Sequence, residues 1–283
     1  MENSIVDNRD NYNVILEKQN VIDREPFRLL KIDDASGLDS VEGRVVCNKC
    51  HRSRKFFCYT CCTPLIDEKY IPHVKLPIKI DIIKHAKEID GKSTAIHAAI
   101  LAPDDVTIYT YPEFPVFSQD EKVVLIFPGK NSISIEELFS INNENNKTNN
   151  DSKNELLING YPITRAVFID STWHQTKSIY KDERLRSLPC VVFKSRISQF
   201  WRHQRKSPRW YLATIEAIHQ FLIQLHDSAY GTIDNYAFND ISTPTDKYHG
   251  QYDNLLYFFK YMYEKIHTMY DHDELRAYKR PLI

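Results

Sequence analysis

Glycine is scarce in this chain. Seven occur in 283 residues, and none forms a G-x-G-x-x-G turn, which excludes the glycine-cradled dinucleotide site at a strand-to-helix junction. Gly91-Lys92-Ser93 looks like the end of a phosphate loop, but that motif needs a glycine five residues before Gly91, and Ala86 stands there. Long apolar runs are also missing. No window approaches eighteen uninterrupted apolar residues, and the first thirty residues carry acids throughout without a hydrophobic stretch. The sequence therefore offers neither a membrane span nor a secretory signal, and reads as intracellular and soluble. Net charge is absent too, with 37 Lys+Arg against 38 Asp+Glu.

What is present belongs to a folded protein, since 42% hydrophobic and 12% aromatic residues exclude wholesale disorder. The near-zero charge hides a polarised distribution. Residues 1–43 carry ten acids and five bases, residues 44–79 eight bases and two acids, and residues 177–209 ten bases and two acids. A charge run alone is usually a solvated face. Two basic blocks interleaved with Phe56, Phe57, Tyr59, Phe200, Trp201 and Trp210 favour a polyanion with stackable bases.

Residues 1–43 read as a polar arm, extended or partly disordered, in which Phe27, Leu29 and Leu30 could dock one short helix. A cysteine module follows over residues 44–70. Short, almost continuously apolar runs then recur at Ile78–Ile83, Val106–Tyr111, Val123–Phe127, Arg165–Ile169 and Val191–Phe193. They suit a buried, largely parallel sheet in an α/β domain over residues 71–283. An asparagine-rich stretch at about 140–157 reads as a mobile surface insertion. Two late helices are legible: Leu212, Ile215, Ile218, Leu222 and Leu225 share one face, and so do Leu255, Phe259, Met262 and Ile266, with Asp253 as N-cap of the second. His219 and His226 have no evident acidic partner and read as packed or surface histidines.

Cys47-x-x-Cys50 and Cys58-x-x-Cys61 form a C-x2-C-x7-C-x2-C array that can close a tetrahedron of thiolates around zinc. Disulfides are the rival in an oxidising compartment and iron the rival metal. With all four positions filled, the ion would be structural. The bases between the knuckles, including Arg52 and Arg54, would be displayed toward phosphates.

The most informative segment runs from Arg165 through Asp170-Ser171-Thr172-Trp173 to Lys177. A buried strand ends in an acid, and Thr172 with Gln175 makes a T-x-x-Q capping box that starts a helix. Asp170 is thereby expected at the carboxyl end of a sheet strand, where open α/β sheets place ligands. Turn capping is the alternative role.

Asp170-Ser-Thr-Trp173 resembles the D-x-T-W signature of the DTW-domain family. The likeness extends over Lys75–His85, Gly91–His97, Leu125–Gly129, Phe200–Gln204 and Gly250–Leu256, and over the paired knuckles. The chain departs where it has Leu212-Ala213-Thr214-Ile215-Glu216, since the family tends to carry a serine at the second of these positions. The resemblance implies a SPOUT-like, knotted α/β transferase. It would move the 3-amino-3-carboxypropyl group of S-adenosylmethionine onto N3 of a tRNA D-loop uridine, at position 20, in the nucleus or cytoplasm. It also implies Asp170, Thr172 and Trp173 at the reacting centre. Leu125, Phe127, Pro128, Gly129, Leu188, Leu212 and Thr214 would lie around the adenosylmethionine. Lys194, Arg196, Arg202, His203 and Arg205 would meet tRNA phosphates. A SPOUT-type RNA methyltransferase and a non-catalytic zinc-dependent RNA-binding module remain alternatives. The sequence fixes no oligomeric state and is compatible with a monomer.

Overall fold

The computed structural model describes residues 15–148, 160–204, 207–239 and 244–282, with the backbone alone of residues 143–148, 173 and 174. Six strands make one all-parallel sheet: β5 (Lys79–Lys84), β6 (Val106–Thr110), β7 (Val123–Ile126), β8 (Ile133–Ser134), β9 (Arg165–Asp170) and β10 (Cys190–Val192). Their spatial order is β6-β5-β9-β7-β10-β8. The β-branched runs were the right signal, because strands buried on both faces need no polar alternation. The two-residue edge strand β8 was too short to give one. Two small antiparallel pairs precede the sheet, β1 (Val45–Val46) with β2 (Ser53–Arg54) and β3 (Phe57–Cys58) with β4 (Thr63–Pro64).

Helices cover both faces. Against the larger core lie α2 (Ala95–Leu101), α3 (Ile135–Thr148), α6 (Thr214–Tyr230) and α7 (Tyr257–Met269). The other face carries a smaller core of Ile83, Val123, Leu125, Val167, Ile179 and Leu185, covered by α4 (Trp173–Tyr180) and α5 (Glu183–Arg186). The α6 face read from the sequence is buried at Ile215, Ile218, Leu222 and Leu225. On α7 the burial is broader than one stripe: Phe258 and Tyr261 are buried with Phe259, whereas Met262 and Ile266 are half-buried. Within the asparagine-rich stretch, α3 runs on as helix to Thr148. Ser134 and Glu137 cap its start reciprocally, and buried Ile135 and Leu138 anchor it. The rest of that stretch, residues 149–157, lies outside the described residues. No helix among the described residues is long and apolar enough to cross a membrane.

The acidic N-terminal segment is not loose over residues 15–40. Helix α1 (residues 15–24) presents Gln19 and Asp23 to the domain. Asp23 takes two bonds from the Arg209 guanidinium, at 2.6 and 2.9 Å, and one from Gln199. Phe27 packs edge-on to Phe259 and Tyr263, and Leu38 is fully buried. Arg209, counted in the second basic block, is thus consumed in a buried ion pair.

Two expectations need correction around α7. Asp253 does not cap that helix; it lies in a 3-10 turn before it, fully buried. It accepts bonds from His219 Nε2 (2.9 Å), Tyr248 Oη (2.6 Å), Tyr236 Oη (2.9 Å) and the Lys31 amide (2.7 Å). His219 therefore has its acidic partner, 34 residues away in sequence and invisible to local spacing. Burial pushes the Asp253 carboxyl up, but the donors led by His219 outweigh it and hold it below the ordinary aspartate value. Burial lowers His219 as well. Its Nδ1 is buried without a partner among the described residues, which fits a neutral ring donating from Nε2 to an ionised Asp253.

Asp253→Ala strands four donors and is expected to remove about 3–5 kcal/mol of unfolding free energy, read by urea denaturation. Because the folded value is depressed, the Asp253 contribution is complete above pH 3.8 and disappears as pH falls below it. The wild-type and Ala variant curves should converge in acid.

Candidate functional site

The carboxyl ends of the parallel strands carry the site. Asp170 closes β9, beside Lys84 at the end of β5, its register partner. The residue is 5% exposed. Oδ2 accepts from Ser93 Oγ at 2.6 Å and Oδ1 from Thr214 Oγ1 at 2.5 Å. Thr214 is the first residue of α6, and Ser93 stands just before α2, where its Oγ also accepts from the Ala95 amide. Thr94 Oγ1 accepts from the Ile215 amide, tying the two helix starts together. Burial raises the Asp170 carboxyl above the ordinary aspartate range, and the two hydroxyls and Lys84 oppose that only in part. A buried carboxyl poised upward at a strand tip is suited to taking a proton.

Thr172 begins α4 as expected: Gln175 Oε1 accepts from the Thr172 amide at 3.0 Å and from its hydroxyl at 2.9 Å. The Trp173 side chain lies outside the described residues. At the start of α6, Ala213 has no capping hydroxyl; Glu216 instead accepts from the Ala213 amide (2.9 Å), from Ser198 Oγ and from the Gln199 amide.

Two cavities meet at Ser171, Tyr211, Leu212 and Thr214. One, of about 570 Å³, holds Asp170, Thr172, Glu88, Lys92, Arg202 and His203, and falls within the size range of small-molecule sites. The other, of about 230 Å³, lies over the ends of β7, β9 and β10 and is walled by Ile126, Phe127, Pro128, Val192 and Trp210. Phe127, Pro128, Leu212 and Thr214 thus come together on one cavity. Leu125 is fully buried in the smaller core. Leu188 packs on that core beside Phe127, and Gly129 sits tightly against Cys190 and Tyr180, where an added Cβ would lie 3.2 Å from each. None of these three lines either cavity.

The sequence reading missed Ser93, Thr94, Glu88 and Lys92. Their signal was the Gly91–His97 run, which matched the family but failed as a phosphate loop. Burial and the Asp170 charge raise the Glu88 carboxyl, so two acids face one cavity.

The predicted basic residues divide. Arg202 and His203 line the Asp170 cavity, and Arg202 donates to the Gly91 carbonyl at 3.2 Å. Arg54 sits over Tyr59, with its guanidinium carbon 3.9 Å from the ring centroid, and Arg52 is nearby, 3.4 Å from the Thr60 hydroxyl. Lys194, exposed, pairs with Glu136, and Arg196 faces Glu216 at 3.8 Å from the side of α1. Arg205 lies outside the described residues.

The four knuckle cysteines converge, with all four sulfurs within 4.8 Å of one another and Cys50 Sγ 3.5 Å from Cys58 Sγ. Tetrahedral thiolates around zinc would be about 3.8 Å apart, so the set fits one ion. Each knuckle turns on the residue after its second cysteine, His51 (φ 57°) and Cys62 (φ 51°). Amides of Cys50 and Lys49 pull the Cys47 thiol down to about 6, whereas burial and the neighbouring sulfurs push Cys61 up to about 12. The module is docked to the site through Thr60, which donates to Asp90 at 3.0 Å, and Asp90 pairs with Lys84.

The DTW domain family model matches residues 55–267, and the chain belongs to that family. It is similar to the tRNA-uridine aminocarboxypropyltransferase 1 of Mus musculus, with 44% identity over 249 residues covering 79% of this chain and 77% of the relative. For the protein of the same name from Homo sapiens the identity is 45% over the same shares, and for that from Xenopus laevis 40%, covering 80% and 81%. No solved structure matches.

A buried carboxylate with a raised affinity for its proton costs stability at neutral pH, so Asp170→Asn is expected to unfold at a temperature no lower than the wild type, in differential scanning calorimetry at pH 7. Cys58→Ser is expected to reduce bound metal from one ion per chain toward none, by elemental analysis.

Proposed function

We propose that the protein transfers the 3-amino-3-carboxypropyl group of S-adenosylmethionine to N3 of a tRNA uridine. The observation that carries this is the buried Asp170 carboxylate at the meeting point of an apolar cavity and a larger polar one rimmed by Lys92, Arg202 and His203. The printed names of the relatives support the same activity.

The apolar cavity suits adenosine, with Phe127, Pro128 and Leu212 as its walls. Thr214 and Ser171 stand where the amino-acid tail would cross into the polar cavity. Uridine enters from the basic side, and its N3–H proton passes to Asp170. N3 then attacks Cγ in line with sulfur: the N3–Cγ bond forms, the Cγ–S bond breaks, and its electron pair neutralises the sulfonium, releasing methylthioadenosine. Presenting Cγ rather than the methyl group is a matter of positioning. Thr172 is assigned to the uridine side of this pocket, and Trp173 to the reacting centre on the strength of the family signature. The D-loop position 20 and the position of Cys47, Cys50, Cys58 and Cys61 around a structural zinc belong to the same reading, as do the module boundaries at 44–70 and 71–283. A zinc ion there would hold the two knuckles together, with no open position for chemistry. A knotted, SPOUT-like path of the chain also belongs to this reading.

Unmodified tRNA incubated with the protein and adenosylmethionine should yield aminocarboxypropyluridine and equimolar methylthioadenosine, by nucleoside mass spectrometry. Methyluridine with adenosylhomocysteine, or no product, overturns the proposal. Asp170→Asn should bind adenosylmethionine and tRNA normally and lose about 10²–10⁴-fold in turnover.

A further inference from the structure

A third cavity, of about 300 Å³, lies where the cysteine module meets the sheet domain. It shares Lys92, Ser93, Thr94, Phe200 and Arg202 with the Asp170 cavity, so the two are neighbours across one short ridge. Its charge is one-sided: Arg44, Arg54, Lys55, Lys92 and Arg202 line it, against Asp90, which is already engaged by Lys84 and Thr60. Between the cations stand Phe56, Tyr59 and Trp201.

Two polar atoms here are buried without partners among the described residues, Arg54 Nε and His97 Nδ1. His97 is 3% exposed and lines the cavity from α2. Burial, with the Arg202 charge beside it, pushes its value down to about 3, so its ring is neutral at physiological pH. Buried polar atoms in native proteins find partners, and a neutral imidazole matches the edge of a base. Arg54 sits over the Tyr59 ring and lines the cavity, and a guanidinium so held offers a plane on which unstacked bases can lie. A free inorganic anion would account for the cations but not for the aromatic walls.

We propose that this cavity receives the nucleotide immediately flanking the target uridine, its base stacked on the Arg54 guanidinium within reach of His97 and its phosphate among the cations. This deepens the function proposed above and gives the cysteine module a reading role: the knuckles supply half of a second nucleotide pocket beside the reacting one.

The test measures binding, not turnover. tRNA transcripts carry an abasic site on the 5′ or the 3′ side of the target uridine, and their Kd values are compared with intact tRNA for wild type, Arg54→Ala and Arg54→Lys. Loss of one stacked base should weaken wild-type binding about tenfold to a hundredfold on one flank. In both variants the intact-to-abasic ratio should fall to near one, since lysine restores charge but not the plane. An equal abasic penalty in all three proteins, a wild-type ratio in Arg54→Lys, or no penalty on either flank overturns the inference. Failure of the transfer reaction is seen separately, as missing product with this binding pattern intact.

Discussion

The site depends on one arrangement, a carboxylate at the tip of β9 clamped by hydroxyls from the starts of two helices. Ser93 and Thr214 come from segments 121 residues apart, and both reach Asp170. The clamp keeps the carboxylate soluble in an apolar setting without fully offsetting its burial. That balance suits the general base proposed for Asp170, because a fully satisfied carboxylate holds a proton too weakly and an isolated one would stay protonated. Everything else positions this group: the parallel sheet sets the strand tip, the Thr94 to Ile215 bond fixes the two helix starts, and the cavities meet beside it.

The cysteine module is coupled to the same point. Thr60, Asp90 and Lys84 form a polar chain from the second knuckle to the residue paired with Asp170 in the sheet. Phe56 and Phe57 lock the module onto Phe258 and Tyr261 of α7. A structural metal in the knuckles would stiffen the mouth of the site without taking part in its chemistry.

Much of this was legible in the sequence, for local reasons. Strands buried on both faces announce themselves as apolar runs, the T-x-x-Q box marks the α4 start, and thiolate spacing reveals the knuckles. What stayed hidden depends on long-range meetings. Nothing near Asp253 shows that His219, Tyr236, Tyr248 and Lys31 will converge on it. Nor does the acidity of residues 15–40 show that Asp23 will neutralise Arg209. Charge counting overstated the second basic block for the same reason, since Arg209 is buried against Asp23 and Arg196 faces Glu216. The Gly91–His97 run fails as a phosphate loop, yet it delivers the Ser93 hydroxyl that Asp170 accepts from.

The direct test of the clamp is a carbon-13 NMR titration of the Asp170 carboxyl, assigned by its disappearance in Asp170→Asn. The account predicts a midpoint above the ordinary aspartate value of 3.8 in the free protein, moving when adenosylmethionine binds. A midpoint at or below that value, unmoved by the ligand, would contradict it.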